Sequence, residues 1–360
     1  MIKILHVITN LNTGGAEKLM VDLLPRLINK NVEIELCLFN GSETPFLLKL
    51  KERGIKIHSF GFKESYYNPS HIRKLINLAK NFDIIHTHNT APQLFGAIAS
   101  IFCKQKWVST EHTTTSNRRV WWYKPIERWM YHQYDKMLCI SQAAKDSVQM
   151  IAGTKKPETC IIPNGIDLDL YKNAFALERN SIGADSSDKK ILLMVGRYSY
   201  QKDQATIIKA LSLLPNNIEL WLAGYGETES ELKQLAKNCN VDKRVFLLGM
   251  RNDIPALLKT CDIVVQSSHI EGFGLAAVEA MGAGKPVIAT DIPGLRNVVE
   301  GAGLLFEHEN HKMLAETISL LINDEKLTEE LISKGHDRAL KYSIDRMTDN
   351  YYKSYLEILN

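Results

Sequence analysis

The sequence predicts an α/β protein built from two doubly wound, parallel-sheet domains of the Rossmann type. Short apolar runs alternate with helical patterns from the first residues, the alternation pauses at one polar stretch, and it then restarts. Alternating strands and helices predict a parallel sheet with helices on both faces. The chain has 360 residues, more than one hydrophobic core usually supports, so two domains are expected.

Seven strand-like runs belong to the first domain. They occupy residues 3–9, 33–39, 55–60, 83–88, 106–110, 136–140 and 159–162. A turn or helix signal follows each run. A polar stretch without periodicity, residues 178–190, then marks the change of domain. We assign residues 1–170 to an N-terminal Rossmann-like domain.

Five further runs belong to a second Rossmann-like domain, residues 171–340. They occupy residues 191–196, 219–223, 245–248, 263–267 and 287–290. The end of the chain has the i, i+3, i+4 apolar spacing of helices, and we expect the last helix, residues 341–360, to pack back on the N-terminal domain. Such sheets bind ligands at the carboxyl ends of their strands. We expect the two domains to face each other across a cleft.

Composition narrows the function classes. With 45% hydrophobic and 24% charged residues, the chain is an ordinary soluble protein. It begins without a signal-peptide pattern, and no apolar run reaches the roughly 18 to 20 residues of a membrane span. Six cysteines without a CxxC pair predict free thiols in a reducing cytoplasm.

The two halves differ in charge. Residues 1–170 carry 22 Lys and Arg against 15 Asp and Glu, whereas residues 171–360 carry 22 against 26. The basic half is expected to meet an anionic partner, with an evenly solvated surface as the alternative.

The segment from Glu271 to Glu279 predicts an anion site. Glycines open a helix there, directly after the strand-like run 263–267. Free amides and the dipole at a helix start attract an anion. Glu279 lies about one turn into the helix, so both carboxylates are expected to face the cleft and accept hydrogen bonds from sugar and ribose hydroxyls.

Two cations follow the first strand of the second domain. Arg197 comes directly after that strand, and Lys202 follows five residues later, ahead of a helix that starts near Asp203. Fixed cations at a strand end can neutralise a diphosphate and stabilise it as a leaving group without a metal. Gly224 follows another strand, and two interpretations of it stay open, a ligand contact and a tight turn.

In the first domain, Gly14 and Gly15 join strand one to helix one, where the backbone can approach an anionic ligand. Three histidines end strands. His86 and His88 point to one face by their i, i+2 spacing, but no carboxylate or cysteine cluster completes a zinc site, so no metal is predicted. We interpret His86 as a packed histidine and expect His112, or else His88, to bind a sugar hydroxyl.

Residues 118–131 interleave cations with aromatic rings. This composition is typical of a segment that lies at a membrane interface, with ordinary packing as the alternative. We predict a cytoplasmic protein from the features given above. Peripheral contact of this segment with an anionic membrane, on the cytoplasmic face, is a hypothesis. No compact basic patch or reader motif accompanies the segment, so nucleic acid is not an expected partner.

These motifs together resemble those of the family 4 (group 1) glycosyltransferases. The order and spacing match across nearly the whole chain, in Gly14-Gly15-Ala16-Glu17, Asp83-Ile84-Ile85-His86-Thr87-His88, Pro163-Asn164-Gly165-Ile166-Asp167, Gly196-Arg197 with Lys202, and the E-x7-E pair Glu271 and Glu279. The resemblance implies the GT-B architecture, with a nucleotide-sugar donor in the C-terminal domain and an acceptor in the N-terminal one. It also implies a retaining transfer that needs no metal or other cofactor.

The resemblance further implies a role for each matching residue. Arg197 and Lys202 would grip the donor diphosphate and serve as the main catalytic groups. Glu271 would meet the hydroxyls of the transferred sugar, helped by the amides of Phe273, Gly274 and Leu275, while Glu279 would hold the ribose. Gly15 would let its loop approach the donor, and His112 would lie near the reacting centre. The usual glycine after the lysine is Asp203 here, which would stiffen the loop or cap the next helix.

Two other function classes stay open. A nucleotide-sugar epimerase of the same fold would convert the donor alone, and a binding protein would hold it without turnover. For a transferase we expect a hexose-type sugar, with UDP as the default nucleotide. The expected acceptor is a glycan or a polyprenyl-linked intermediate of a surface polysaccharide, with a soluble acceptor as the alternative. A nicotinamide enzyme is not expected, because Gly14-Gly15 does not match G-x-G-x-x-G.

Overall fold

The structure, a computed structural model, describes residues 1–12, 14–62, 65–112, 123–153, 156–182 and 189–359. The chain divides into two compact units. Unit 1 comprises Met1–Gly165 together with the C-terminal segment that begins at Ile344, and unit 2 comprises Ile166–Ser343. The change of unit falls directly after Gly165, ahead of the polar stretch 178–190.

Unit 1 contains a seven-stranded sheet. Its strands are β1 (Ile2–Ile8), β2 (Val32–Leu38), β3 (Lys56–Ser59), β4 (Ile84–His88), β5 (Lys106–Glu111), β6 (Lys136–Cys139) and β7 (Glu158–Ile161). The helices between them are α1 (Gly15–Ile28), α2 (Pro45–Glu52), α3 (Ser70–Ala79), α4 (Thr90–Ser100), α5 (Lys124–His132) and α6 (Gln142–Ala152).

The strands of unit 1 are all parallel, in the order β3-β2-β1-β4-β5-β6-β7. Ile4, Val7 and Ile8 of β1 have no exposed surface, as expected for a parallel strand whose sheet is covered on both faces. The strand order reverses between β1 and β4, so the segments that follow these two strands meet at the switch point of the sheet.

Unit 2 contains a six-stranded parallel sheet in the order β10-β9-β8-β11-β12-β13. Its strands are β8 (Lys190–Val195), β9 (Ile218–Ala223), β10 (Val245–Leu247), β11 (Ile263–Gln266), β12 (Val287–Thr290) and β13 (Leu304–Phe306). Its helices are α7 (Leu168–Lys172), α8 (Gln204–Leu211), α9 (Glu229–Asn238), α10 (Ile254–Thr260), α11 (Leu275–Gly282), α12 (Pro293–Val299), α13 (His311–Asn323) and α14 (Glu325–Leu340).

All twelve strands predicted from the sequence are present, and β13 is an addition. The apolar run that forms it, Leu304–Phe306, has three residues, fewer than the four to eight on which a strand pattern can be recognised, whereas the run of the equally short β10 continues to Leu248. The switch point of unit 2 lies between β8 and β11.

The last helix, α15 (Ile344–Leu359), belongs to unit 1. Ile344, Met347, Tyr351 and Tyr355 follow one another at intervals of three or four residues and are buried in the unit 1 core. This spacing places them on one helix face. The return of the last helix to the first domain is the arrangement that the fold class predicted. Within the described ranges, no helix has the length and apolar character needed to cross a membrane.

Candidate functional site

The switch point of unit 2 brings the predicted donor residues together. β8 and β11 are neighbours in the sheet. Arg197 and Lys202 follow the carboxyl end of β8, and Glu271 follows the carboxyl end of β11. Lys202 and Glu271, which are 69 residues apart in sequence, therefore meet at one edge of the sheet, where open α/β sheets bind ligands, and Arg197 lies in the same loop as Lys202.

Lys202 and Glu271 form an ion pair between Nζ and Oε2. Only 25% of the lysine side chain and 17% of the glutamate side chain are exposed, so water screens the pair less than it screens a surface pair. The loop around Glu271 is held by close packing, since a Cβ added to Gly294 would lie 2.0 Å from the Glu271 carbonyl oxygen. Contacts within the protein alone thus hold Lys202 and Glu271 against each other.

Arg197 lies in a more open position. Its side chain is 70% exposed and its Nη2 donates to Glu227 Oε2 at 3.1 Å. Its backbone is fixed, because Gln204 Nε2 donates to the Arg197 carbonyl oxygen at 2.9 Å. The pKa of Glu227 is held below its usual value by a hydrogen bond to its own backbone amide and by the Arg197 charge. Arg197 therefore combines a fixed backbone with a guanidinium that can exchange an exposed partner for a ligand.

Asp203 stands directly after Lys202, where the family usually has a glycine. It has φ +50°, a left-handed conformation that glycine adopts without strain and that Asp tolerates better than most residues. Its Oδ1 accepts from Thr206 N at 3.2 Å and so caps the start of α8. Burial raises the pKa of its carboxyl group. Of the two expectations for this residue, helix capping is the one that the structure shows.

Helix α11 begins at the predicted anion site. Gly274 precedes it with φ +88°, and Phe273 is buried edge-on against Tyr342, with ring centroids 5.1 Å apart. The first backbone bonds of the helix run from Ala277 N and Val278 N to the Gly274 carbonyl oxygen, so the amides of Leu275 and Ala276 precede the hydrogen-bonded part of the helix. Glu279 is the fifth residue of α11 and only 7% exposed. The pair Glu271 and Glu279 thus consists of one partly exposed and one nearly buried carboxylate.

Gly224 lies where two loops touch. A Cβ at this position would lie 1.9 Å from the Gly196 carbonyl oxygen, so only glycine lets the segment after β9 approach the segment after β8. This contact favours the tight-turn interpretation of Gly224, and a contact with the donor stays a prediction.

In unit 1, the switch point carries Gly14, Gly15 and two polar partners. Glu17 folds back toward Gly14, where an added Cβ would lie 2.2 Å from Glu17 Oε2. Asn89, directly after β4, donates from Nδ2 to Glu17 Oε1 at 3.1 Å. Burial raises the pKa of Glu17. An added Cβ at Gly15 would meet no atom within 4 Å, so the start of α1 has open space beside it.

Four histidines of unit 1, His6, His86, His88 and His112, form one connected group. Nε2 of His112 lies 3.1 Å from Nδ1 of His88, whose Nε2 lies 3.0 Å from Nδ1 of His6. His86 is fully buried and contacts Tyr355 OH and Thr110 Oγ1, both at 2.7 Å, which agrees with its interpretation as a packed histidine. Burial lowers the pKa of His112 to about 4 and that of His6 to about 3.

Two sets of side chains among the described residues place potential metal-ligand atoms within 4.8 Å of one another. They are His6, His86 and His88 in unit 1, and His269, His308 and Glu309 in unit 2. All six ring nitrogens of the first set already lie within hydrogen-bonding distance of a neighbour. The sequence predicted no metal, and none of the predicted donor residues belongs to either set.

Comparison with known families agrees with this arrangement. Residues 13–170 match the family Glycosyltransferase Family 4, and residues 178–338 match Glycosyl transferases group 1. An uncharacterized glycosyltransferase of Methanocaldococcus jannaschii is 30% identical over 300 residues, which cover 77% of each chain. The chain belongs to the family 4, group 1 glycosyltransferases.

Two further relatives have more specific descriptions. An Escherichia coli UDP-Gal:alpha-D-GlcNAc-diphosphoundecaprenol alpha-1,3-galactosyltransferase is 28% identical to this glycosyltransferase, over 85% of the present chain and 84% of its own. The crystal structure of Anabaena Alr3699/HepE in complex with UDP-glucose superimposes with a TM-score of 0.86 at 25% identity, covering 99% of this chain and all of the other. The two Rossmann-like units of the glycosyltransferase are therefore those of the GT-B fold.

A pocket of about 570 Å³ lies beside the residues predicted to bind the donor, between α8 and α9 of this glycosyltransferase. Asp203, Gln204 and His269 line it, but Arg197, Lys202, Glu271 and Glu279 do not. The pocket and the predicted diphosphate site are thus separate features of unit 2.

The aromatic and basic segment is partly visible. Residues 118–122 lie outside the described residues, Tyr123 precedes α5, and the rest of the segment forms all of α5 except its last residue. Ile126 and Trp129 are 42% and 39% exposed, whereas Glu127 and Tyr131 are buried and hydrogen-bonded to each other. The exposed face of α5 also carries Lys124 and Arg128, and its buried face packs in the unit. Contact of this segment with a membrane stays a prediction.

Sequence reasoning missed three residues around these sites: His6, Glu17 as a partner of Asn89, and Tyr355. His6 could have been found once the strand order was known, because it pairs in register with His86 across β1 and β4. Tyr355 lies at the far end of the chain, and no local pattern links it to a histidine of β4.

Proposed function

We propose that this glycosyltransferase moves a hexose-type sugar from a UDP-sugar, with retention of anomeric configuration and without a metal ion. The observation that carries the proposal is the ion pair of Lys202 with Glu271 at the switch point between β8 and β11, with Arg197 in the same loop as Lys202. Two cations suit a diphosphate, and a carboxylate beside them suits sugar hydroxyls.

Charge stabilisation at the leaving group is the main catalytic effect in this proposal. As the bond between the anomeric carbon and the diphosphate breaks, negative charge develops on the phosphate oxygens. Arg197 and Lys202 would stabilise that charge, and a phosphate oxygen would take the proton from the acceptor hydroxyl that attacks the same face of the sugar. The new glycosidic bond then has the configuration of the old one.

The binding roles follow from the positions of the remaining residues in unit 2. Glu271 would accept hydrogen bonds from hydroxyls of the transferred sugar, helped by the backbone amides of Phe273, Gly274 and Leu275 at the entrance to α11. We assign the ribose hydroxyls to Glu279 and a backbone contact with the donor to Gly224.

We assign acceptor binding to unit 1. The loop of Gly14 and Gly15, in contrast, we assign to the donor, because Gly15 leaves open space beside the start of α1, where the donor diphosphate or sugar would approach the backbone amides. Gly14 shapes the same loop. His112 would contact a ligand hydroxyl near the reacting centre.

Two of the comparisons support the finer parts of the proposal. The Anabaena complex contains UDP-glucose, and the name of the Escherichia coli relative gives a UDP-sugar donor and a diphosphoundecaprenol-linked acceptor. We propose a polyprenyl-linked glycan of a surface polysaccharide as the acceptor, used at the cytoplasmic face of the membrane. The exposed Ile126 and Trp129 of α5 would contact the lipid surface.

A donor panel followed by product analysis tests the proposal. Thermal stability is measured with UDP-, GDP- and dTDP-sugars, and the UDP-sugars are expected to stabilise the protein most. The product of transfer to a polyprenyl diphosphate sugar is then examined by proton NMR. An anomeric coupling constant matching that of the donor supports retention, whereas the opposite anomer contradicts it.

A further inference from the structure

One continuous hydrogen-bonded path crosses the interior of unit 1. We call it the histidine chain, and it consists of His112, His88, His6, Tyr355, His86 and Thr110. Its links are His112 Nε2 to His88 Nδ1 (3.1 Å), His88 Nε2 to His6 Nδ1 (3.0 Å), His6 Nε2 to Tyr355 OH (3.3 Å), Tyr355 OH to His86 Nδ1 (2.7 Å) and His86 Nε2 to Thr110 Oγ1 (2.7 Å).

The histidines of this chain are uncharged. His6, His86 and His88 have no exposed surface, and burial lowers the pKa of all four rings. A neutral imidazole has one N–H and one bare nitrogen, so it donates on one side and accepts on the other. Each link therefore contains one proton, and the direction of any one link determines the direction of its neighbours.

The two bonds of Tyr355 indicate that direction. Its hydroxyl has a single hydrogen, which it can give either to His86 or to His6. Both links of His86 are 2.7 Å long and fit either kind of donor, so they do not decide the direction. The 3.3 Å link to His6 Nε2 lies closer to the usual range of a ring N–H donor, about 2.7–3.2 Å, than to that of a hydroxyl donor, about 2.5–3.0 Å, so His6 donates there and Tyr355 gives its hydrogen to His86. His6 is then protonated at Nε2, accepts at Nδ1 from His88 Nε2, and leaves His88 Nδ1 to accept from His112 Nε2.

We propose that the histidine chain holds His112 in its Nε2–H tautomer, so that Nδ1 faces a ligand as a hydrogen-bond acceptor, and that Tyr355 of α15 sets this polarity. Nδ1 of His112 has no protein partner within the described residues. A bare nitrogen accepts from a hydroxyl but not from a phosphate oxygen, so the ligand group is a sugar or acceptor hydroxyl. That last step rests on the proposed function, whereas the tautomer itself rests on unit 1 alone.

Nitrogen-15 NMR of the full chain tests the tautomer directly. With histidine labelled and long-range proton correlations recorded near pH 7.5, each ring nitrogen is identified as bare or protonated. We expect bare Nδ1 and protonated Nε2 for His112, His88 and His6. A protonated Nδ1 in His112, a charged ring, or stoichiometric zinc bound by His6, His86 and His88 would overturn the proposal.

Two matched variants test the part played by Tyr355. Tyr355→Phe and Tyr351→Phe each remove one buried phenolic hydroxyl from α15. Tyr351 contacts Thr110 Oγ1 at 3.3 Å, beyond the last link, so its loss leaves the direction of the chain unchanged. We expect Tyr355→Phe to convert a measurable fraction of His112 to the Nδ1–H form and Tyr351→Phe to convert none. Equal spectra for His112 in both variants would refute a directing role for Tyr355.

Kinetics then separate a positioning role from general loss of structure. Tyr355→Phe should lower kcat/KM about tenfold, while Tyr351→Phe stays within about twofold. In a His112→Gln background, Tyr355→Phe should have no further effect, because its influence passes through His112. An undiminished effect in that background would contradict the proposal. If no sugar transfer is found with any substrate, the proposed function fails, and the NMR result still decides the tautomer.

Discussion

Lys202 and Glu271 share an ion pair at the switch point of unit 2, so the residues assigned to the diphosphate and to the sugar do not act independently. Arg197 differs, because its guanidinium is mostly exposed and its partner Glu227 is exposed as well. At the scale of single residues, one cation is held in place by the site and the other is available to a ligand.

Replacing Arg197 by Ala should lower turnover about 100-fold or more, because a donor that stabilises developing charge in a transition state typically contributes that much. The measurement is steady-state sugar transfer with the identified substrates. Lys334→Ala is a matched control, since it removes another exposed cation that is paired with a carboxylate. Near-normal turnover in Arg197→Ala would contradict the assignment.

A double-mutant cycle tests the coupling of Lys202 with Glu271. Each single change to Ala should lower kcat/KM strongly, because it removes a ligand contact and also leaves a partly buried charge without its partner. The double variant should lose less than the product of the two single losses, by about fivefold or more, as contacting residues usually do. If the loss of kcat/KM in the double variant equals the product of the two single losses, the pair does not act as a unit.

At the scale of elements, the alternation of apolar runs was sufficient to predict twelve strands, because parallel strands covered on both faces are continuous apolar runs. The positions of Arg197, Lys202 and Glu271 were predictable for a related reason, since each follows a strand directly. The histidine chain was not predictable. It depends on the neighbours β1 and β4 and on a helix about 270 residues away in sequence from His86, a contact that no local pattern contains.

The start of α1 supports a prediction that separates function from folding. Gly15→Ala should leave the free energy of unfolding unchanged or slightly higher, because the added Cβ meets no atom within 4 Å and Ala favours a helix. If a ligand approaches the backbone there, kcat/KM should nevertheless fall about tenfold or more. Urea unfolding and steady-state kinetics on the same preparation measure both quantities. Unchanged kinetics would remove Gly15 from the site.

Gly274→Ala is the contrasting change at the start of α11. The left-handed φ of +88° and a clash of 2.8 Å with Leu295 Cδ2 both oppose a side chain there. The free energy of unfolding should therefore fall by about 1–2 kcal/mol or more. A variant as stable as the parent would show that the start of α11 relaxes to accept a Cβ.

At the scale of the whole molecule, the two units should respond differently to acid. The fully buried histidines among the described residues all lie in unit 1. Burial lowers the pKa values of His6, His86, His88 and His112 below the ordinary 6.5 in the folded state, so the unfolded state binds more protons as the pH falls below that value. Stability is therefore lost as the pH falls from about 6.5 toward 4, most of it before ordinary carboxylates titrate.

The expected size of this effect is measurable. At pH 5, His6 and His112 each oppose folding by about 2 kcal/mol relative to neutral pH. Native-state hydrogen exchange at pH 7 and pH 5, corrected for intrinsic exchange rates, reports on each unit separately. The slowest amides of unit 1 should lose protection and those of unit 2 should change less. Equal protection of unit 1 at both pH values would contradict the burial of uncharged histidines.

Nucleotide release from the preferred UDP-sugar, measured with and without a polyprenyl diphosphate sugar as acceptor, tests the central claim most directly. We expect release to be slow with donor alone, to rise at least 100-fold with acceptor, and to lose that increase in Arg197→Ala. Conversion of the donor to another sugar nucleotide without acceptor would identify an epimerase. Binding of the donor without release under any acceptor would identify a binding protein, and either result would contradict the proposed transfer.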